Sequence, residues 1–283
     1  MATTKDAAAA GTVGLGRELT VNRLGFGAMR ITGDGIWGEP ERPDEARAVL
    51  RRALELGVDF VDTAHSYGPE VSERLIAETL HPYPDGLVIA TKSGFQRPGP
   101  NRWRPDCRPE TLKRECEQSL RRLQVDRIDL FQLHTVDPDV PYAESVGALA
   151  ELQREGKIRC VGLSNVRVEH LHEARAQVEV VSVQNRYSVF DRASEDVLEA
   201  CEADGIAFIP WAPIGGTYED RSRLADVARA HGWTETQVAL AWLLRRSPVM
   251  LPIPGTSSVA HLEENVAAAA LELSDEDVRR LER

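Results

Sequence analysis

Four side chains that could take part in one reaction follow consecutive apolar runs of the sequence. Asp62 ends one run, and Tyr67 follows it by five residues. Lys92 stands at the end of the next run and His134 directly after the one beyond it. Together a carboxylate, a phenol, an ammonium and an imidazole could protonate an oxygen that becomes negative when a hydride reaches a carbonyl carbon.

Each of these residues has a role in that hypothesis. A phenol, with an ordinary pKa of about 10, is a poor acid at neutral pH, and the charge of Lys92 is expected to lower the pKa of Tyr67. Asp62 would pair with Lys92 and fix its position, while His134 would hydrogen-bond a substrate oxygen. The alternative is that Asp62 caps a helix and that Lys92 or Tyr67 is a solvated loop residue.

Eight short apolar runs provide the elements that must position these side chains. Each run has four to seven residues, and many of them are β-branched without polar alternation, which is typical of strands buried on both faces. The runs are Leu24–Gly27, Val58–Asp62, Leu87–Thr91, Ile128–Leu133, Ile158–Leu163, Val178–Val183, Ile206–Pro210 and Val249–Ile253.

Amphipathic stretches between the runs predict helices. One begins at Pro43 and ends before Gly57, and another spans 144–155 and ends at Gly156. The alternation of strands and helices predicts a (β/α)8 TIM barrel, an α/β fold. A doubly wound open sheet is the alternative, although no Gly-x-Gly-x-x-Gly follows the first run. In a barrel, the polar residues at the carboxyl ends of the strands would meet at one rim.

The length of 283 residues suits either two domains or one barrel of about 250 residues. Because no linker-like segment interrupts the sequence, we expect a single domain over residues 1–283. Its parts would be a leader at 1–23 with a possible hairpin around 15–19, a barrel at 24–254, and a carboxyl-terminal segment with helices at 255–283.

The composition bears on partners and location. With 34 basic and 45 acidic side chains the formal charge is −11, which argues against a binder of nucleic acid or of an anionic membrane. No run approaches the ~20 apolar residues of a membrane span. The four cysteines are scattered without the spacing of a metal site, so a cytoplasmic protein without a metal is expected.

The sequence resembles the aldo-keto reductase family over nearly its whole length. The tetrad of that family falls on Asp62, Tyr67, Lys92 and His134, inside the runs VDTAHSYG, ATKSG and DLFQLH. Residues 156–165, GKIRCVGLSN, are similar to its strand-five signature. Residues 253–265, IPGTSSVAHLEEN, are similar to its motif for the adenosine end of the cofactor.

The resemblance implies an NADPH-dependent oxidoreductase that reduces an aldehyde or ketone to an alcohol, with Tyr67 as the proton donor. NADPH would lie extended, without a Rossmann fold, and the segment 255–283 would bind part of it. By the family pattern Ser164, Asn165 and Gln184 hold the carboxamide of the nicotinamide. Trp211 stacks on its ring, which orients the face from which hydride leaves. The implied cofactor contacts are Gly27, Ala28, Met29, Asp62, Ser164, Asn165, Gln184, Trp211, Ala212, Pro213, Ile214, Gly215, Gly216, Gly255, Thr256, Ser257, His261, Glu264 and Asn265.

Residues near the expected 2′-phosphate depart from the best-known family pattern. Gly255 and His261 stand where many members have a lysine and an arginine, so two cations for the phosphate are missing. The hydroxyls of Thr256, Ser257 and Ser258 and the amino end of a helix predicted near Val259 remain for that group. The alternative is that Ser257 or Ser258 only caps this helix. NADPH is therefore the expected cofactor, with NADH as the less favoured alternative.

The substrate is expected among the loops at the same rim. The loop 93–107 is long, and long loops on the active face of a barrel usually carry specificity. Its aromatic and basic residues suit a flat or weakly anionic carbonyl compound, and similarity to bacterial family members makes a vitamin-B6-type aldehyde one candidate. The expected substrate contacts are Met29, Trp37, Tyr67, Trp103 and His134.

Two alternatives come from other functional classes. A barrel isomerase or hydrolase could use Asp62 and His134 for proton transfer without nicotinamide. A redox-silent regulatory subunit is the other, because potassium-channel β subunits are also similar to this family. The sequence does not determine the oligomeric state or the direction of the reaction.

Overall fold

The computed structural model describes residues 6–215 and 221–282. Its largest sheet is parallel, has seven strands and curls into a barrel, with the strand order β3-β4-β5-β8-β9-β10-β11. The strands are β1 (Thr12–Leu15), β2 (Leu19–Asn22), β3 (Phe26–Gly27), β4 (Phe60–Asp62), β5 (Val88–Ser93), β6 (Phe95–Gly99), β7 (Arg102–Pro105), β8 (Ile128–Leu133), β9 (Ile158–Ser164), β10 (Val180–Arg186) and β11 (Ala207–Trp211).

Helices follow most of the barrel strands and cover the outside of the sheet. They are α1 (Pro43–Glu55), α2 (Val71–Leu80), α3 (Pro109–Leu123), α4 (Tyr142–Arg154), α5 (Val168–Arg175), α6 (Glu195–Asp204), α7 (Ser222–His231), α8 (Glu235–Arg246), α9 (Val259–Ala267) and α10 (Asp275–Glu282). Short 3₁₀ turns lie at Ala7–Ala10, Ala28–Ile31 and Ala268–Ala270.

Helix α1 shows how the sequence pattern becomes structure. Pro43 occupies its first turn, and Gly57 follows its end with a φ of +76°, a conformation that glycine adopts without strain. The residues of α1 that recur every three or four positions are buried against the sheet. The predicted helix at 43–56 is therefore confirmed.

The eighth apolar run, Val249–Ile253, was predicted to be a strand and is not one. It makes only an isolated bridge to β11, with two backbone hydrogen bonds to Phe208 of 2.8 and 2.9 Å. On its other side, the carbonyl of Pro252 accepts a hydrogen bond of 3.0 Å from Gly25. Pro252 and Pro254 have no N–H to donate, so no continuous ladder forms, although the segment still joins the two edges of the sheet and closes the TIM barrel.

The amino-terminal hairpin β1–β2 is antiparallel, with Leu15 opposite Leu19. Val13, Leu15 and Val21 pack in one cluster with inward-facing side chains from the first part of the barrel strands, such as Leu130. The hairpin therefore closes the amino-terminal end of the barrel and leaves the carboxyl-terminal rim accessible. Within the described residues, no helix is long and apolar enough to cross a membrane.

Candidate active site

A buried ion pair lies at the carboxyl ends of the neighbouring strands β4 and β5. Nζ of Lys92 lies 2.5 Å from Oδ1 of Asp62 and donates a second hydrogen bond of 2.8 Å to the carbonyl of Thr63. The two charged side chains are at most 2% exposed. Burial disfavours the ammonium, but the charge and hydrogen bond of Asp62 together with Tyr67 outweigh burial and raise the pKa of Lys92.

The other oxygen of Asp62 is held from two further strands. Oδ2 accepts hydrogen bonds from Nε2 of Gln132 at 3.0 Å and from Nε2 of Gln184 at 2.9 Å. Gln184 was predicted as a cofactor contact, and in the structure its amide points at this carboxylate. Gln132 was missed, although a polar residue inside the apolar run Ile128–Leu133 is a signal that could have found it.

Tyr67 lies beside the ion pair, on the loop between β4 and α2. Its ring centre is 5.1 Å from Nζ of Lys92, and the side chain is buried. Burial raises the pKa of Tyr67 above its ordinary value, and the charge of Lys92 only partly opposes this. The prediction that Lys92 lowers the pKa was therefore wrong in its net sign, because burial disfavours the phenolate more than the ammonium favours it.

His134 completes the group directly after β8. Its ring centre lies 5.9 Å from that of Tyr67, and Nδ1 lies 3.5 Å from the hydroxyl of Ser66. Burial, and then the charges of Lys92 and Arg97, hold the pKa of His134 well below 6.5. The imidazole is therefore neutral at neutral pH and can donate one hydrogen bond to an oxygen.

An aromatic wall surrounds Tyr67 and His134. The ring of Trp103, on β7, lies 6.4 Å from that of Tyr67 and 6.1 Å from that of His134. Phe95, on β6, lies 4.9 Å from His134. Trp37 lies 5.8 Å from the guanidinium of Arg97. We call Trp37, Phe95 and Trp103 the aromatic wall of the candidate site.

Not every predicted substrate contact belongs to this wall. The structure brings Trp103 to Tyr67 and His134 directly, and it connects Trp37 to them through Arg97. Met29 is half-buried in the 3₁₀ turn after β3. Phe95 was not among the predicted contacts, although its place directly after β5 and Gly94 could have indicated it.

The predicted nicotinamide residues meet at the carboxyl ends of β9, β10 and β11. Nδ2 of Asn165 donates to the carbonyl of His134 at 2.9 Å and to Oγ of Ser164 at 3.1 Å. Its Oδ1 accepts a hydrogen bond of 2.9 Å from the indole of Trp211. Trp211 is half-buried, so this flat side chain lines the rim next to the tetrad.

The chain turns sharply after β11. Ala212 has a φ of +51°, Pro213 is buried, and Ile214 is half-buried. Gly215 has a φ of +73°, and a Cβ there would lie 2.6 Å from the ring of Phe190. Gly216, also predicted to contact the cofactor, lies outside the described residues.

The backbone at Gly27 and the backbone of residues 253–255 approach each other closely at the opposite side of the rim. A Cβ on Gly27 would lie 2.6 Å from the carbonyl of Ile253, and a Cβ on Gly255 would lie 2.6 Å from the carbonyl of Gly27. The same position on Gly255 is 3.5 Å from Cγ of Arg30. The aliphatic part of the exposed Arg30 side chain therefore lies beside Gly255, the residue that replaces the lysine of the family pattern. Ala28 is buried directly after Gly27.

Helix α9 starts within the predicted cofactor segment. Oγ1 of the buried Thr256 accepts a hydrogen bond of 3.1 Å from the N–H of Ser258, while Ser257 and His261 are exposed. Asn265 is buried in the second half of α9.

Glu264 faces another element. Its carboxylate accepts a hydrogen bond of 2.6 Å from Thr234, the residue that caps α8. The side chain of Glu264 is thus engaged in joining α9 to α8.

The fold and this rim can now be compared with known proteins. A sequence model of the Aldo/keto reductase family matches residues 23–283. This chain belongs to that family. It is therefore an NAD(P)H-dependent oxidoreductase enzyme, and the isomerase, hydrolase and redox-silent alternatives gain no support from the comparison.

Individual relatives cover nearly the whole chain. An uncharacterized oxidoreductase of Schizosaccharomyces pombe is 52% identical over 279 residues, covering 98% of this chain and 90% of that protein. Pyridoxine 4-dehydrogenase of Escherichia coli is 45% identical over 270 residues, covering 93% of this chain and 94% of that protein. An aldo-keto reductase from Klebsiella pneumoniae, crystallised in complex with NADPH, has a TM-score of 0.81 at 28% identity and covers 95% of this chain and 93% of that one.

Proposed function

We propose that this enzyme reduces an aldehyde or ketone to an alcohol with NADPH and that Tyr67 donates the proton. The observation that carries the proposal is the buried Asp62–Lys92 pair next to the Tyr67 phenol, with neutral His134 on its other side. Family membership and the NADPH complex of the Klebsiella pneumoniae relative support the choice of reaction and cofactor.

The proposed division of labour follows from the geometry. The bound cofactor would supply the hydride. Tyr67 stays protonated in the free protein because burial raises its pKa, so it holds a proton until the substrate oxygen becomes negative. Lys92 then stabilises the phenolate that forms, and Asp62 keeps the ammonium in place. His134 orients the carbonyl by donating a hydrogen bond to its oxygen.

The residues present fit an extended dinucleotide. Trp211 offers a flat face beside the amide of Asn165, which suits a nicotinamide and its carboxamide. Ser258 makes no side-chain cap on α9, whose first turn has no acidic residue, so the amino end of this helix suits a phosphate. Arg30, beside Gly255, adds a positive charge that favours NADPH over NADH. The other predicted contacts are part of the same proposal.

The aromatic wall supports a small, flat carbonyl substrate. Trp103 and Phe95 present rings to His134 at 6.1 and 4.9 Å. Within this class, a vitamin-B6-type aldehyde is the specific candidate that we propose, because pyridoxine 4-dehydrogenase is among the relatives.

The location and domain division are also proposed. A cytoplasmic protein is consistent with four buried cysteines that form no disulfide. Residues 1–23 would be a leader, 24–254 the barrel, and 255–283 the cofactor-binding segment with the carboxyl-terminal helices.

The role of Tyr67 is tested by the substitution Tyr67→Phe. We expect it to abolish NADPH-dependent reduction across a panel of aldehydes and ketones, since acid catalysis contributes about 10²–10⁴-fold. The dissociation constant of NADPH, measured by quenching of tryptophan fluorescence, should stay nearly the same. Tyr83→Phe removes a phenol that donates to the carbonyl of Leu123 far from the tetrad and serves as the control. Retention of more than about a tenth of the rate in Tyr67→Phe would remove Tyr67 from this role.

A further inference from the structure

Arg97 is a buried cation that the proposed reaction does not yet use. It lies on β6, is 9% exposed, and donates four hydrogen bonds to backbone carbonyls. The acceptors are the carbonyls of Gly35 at 2.8 Å, Ile36 at 2.9 Å, Ser66 at 2.9 Å and Arg102 at 3.0 Å. In the ranges 6–215 and 221–282, no carboxylate pairs with it.

Three of the four carbonyls that Arg97 binds belong to residues directly before side chains of the proposed site. Ile36 is followed by Trp37, Ser66 by Tyr67, and Arg102 by Trp103. One guanidinium therefore connects three segments: the loop after β3, the loop after β4 and the hairpin β6–β7. Each connection fixes the peptide bond directly before a side chain of the site.

The guanidinium also faces the wall itself. Its carbon lies 3.8 Å from the ring centre of Trp103 and 5.8 Å from that of Trp37. A guanidinium is planar and always charged, and the six contacts named for it are all to neutral carbonyls and rings. Its charge reaches Tyr67 and His134, where it contributes to lowering the pKa of the imidazole.

We propose that Arg97 is a positioning and specificity-determining residue: it holds Trp37, Tyr67 and Trp103 around the reacting carbonyl and selects flat carbonyl compounds that carry a negative charge. This inference rests on the proposed function and names the charge class of its substrate. Two properties of the Arg97 side chain are involved. Its hydrogen bonds to backbone carbonyls position the three aromatic residues, and its positive charge favours anionic substrates.

Three benzaldehydes of different charge test the preference in the wild-type enzyme with NADPH. They are 4-carboxybenzaldehyde, benzaldehyde and 4-(trimethylammonio)benzaldehyde, which share the flat benzaldehyde ring and differ in the charge of the para substituent. We expect kcat/KM for the anion to exceed that for the cation by about tenfold or more, the effect of one charge-assisted interaction. A ratio of one or less would overturn the charge selection without any variant. Failure to reduce any aldehyde would overturn the proposed function, and this inference with it.

Two substitutions separate charge from geometry. Arg97→Gln removes the charge, and its anion-to-cation ratio should fall to within about threefold of unity. Arg97→Lys keeps the charge but has three donors for four carbonyls, so it should keep the ratio while kcat falls for all three aldehydes. Arg104→Gln, an exposed position on β7 of the same hairpin, should leave both quantities unchanged.

If Arg97 only stabilised the fold, the two substitutions would give a different result. In that case Arg97→Gln and Arg97→Lys lower activity equally and neither changes the ratio among the three aldehydes. That outcome, or an Arg97→Gln enzyme with unchanged kcat/KM and ratio, contradicts the inference.

Discussion

The side chain of Asp62 hydrogen-bonds to three other residues near the candidate site. One oxygen binds the ammonium of Lys92, and the other accepts from Gln132 and Gln184. Asp62 lies on β4 and its three partners lie on β5, β8 and β10, so the carboxylate links four strands next to the phenol of Tyr67. Loss of a single partner should therefore affect both stability and reaction.

The ion pair can be tested by removing one or both charges. Asp62→Asn leaves the buried ammonium of Lys92 without its counter-charge, so we expect the free energy of unfolding to fall by about 3–5 kcal/mol. The double variant Asp62→Asn/Lys92→Met lacks the unpaired buried charge and should recover much of the lost stability. Its NADPH-dependent reduction should stay at least about 100-fold below wild type. Urea denaturation and initial rates measure the two effects. A double variant no more stable than Asp62→Asn would contradict this account.

Strand β9 lies between β8 and β10, and a glycine in it leaves room for side chains of both neighbours. Gly162 pairs with Gln132 of β8 on one side and with Ser182 of β10 on the other. Their side chains use the space that its missing side chain leaves, and Gln132 thereby reaches Asp62. Packing against Gly162 thus helps to set the position of the Asp62 carboxylate.

A methyl group in that space should disturb the site. A Cβ at Gly162 would lie 2.3 Å from Oγ of Ser182 and 2.9 Å from Cγ of Gln132. We expect Gly162→Ala to lower the free energy of unfolding by about 1–3 kcal/mol and to slow reduction. The matched control is Gly147→Ala in α4, where the nearest atom is 3.7 Å away, and the change should stabilise by up to about 1 kcal/mol. Equal stability of Gly162→Ala and wild type in urea would show that the strands adjust without cost.

Stability of the whole molecule depends on pH through His134 and His65, whose imidazoles are removed from most solvent by folding. The chain around them has a formal charge of −11. Burial lowers the pKa of His134 well below 6.5 and also lowers the pKa of His65. The unfolded chain takes up a proton on such a histidine at a pH where the folded protein does not. Folding is therefore favoured by these groups above about pH 6.5, and the advantage is lost as the pH falls below that value.

This linkage predicts the acid side of the stability profile. Between pH 6.5 and 5, each such histidine should contribute a slope of up to about 1.4 kcal/mol per pH unit to the free energy of unfolding. His134→Gln removes one contribution, so its profile should be flatter than that of wild type. His81→Gln, at an exposed site, is the control and should keep the wild-type slope. Urea denaturation at several pH values measures the profiles, and parallel curves for His134→Gln and wild type would contradict the assignment.

The barrel, and the position of Asp62, Tyr67, Lys92 and His134 at one rim of it, could be predicted from local sequence patterns. Strands and helices have local periodic patterns, and a polar residue at the end of a buried strand points to the rim. The same local rules wrongly predicted a strand at Val249–Ile253, because they counted its apolar residues and did not weigh Pro252, which cannot donate to a ladder.

The burial and the hydrogen-bond partners of these residues could not be predicted from the sequence, because they depend on the folded chain. The pKa of Tyr67 is raised rather than lowered because burial depends on what the rest of the chain packs around the phenol. Arg97 binds carbonyls from segments up to 62 positions away in sequence, and Gln184 reaches Asp62 across 122 positions. Such contacts have no local pattern, since they depend on side-chain directions and on desolvation that exist only after the chain has folded.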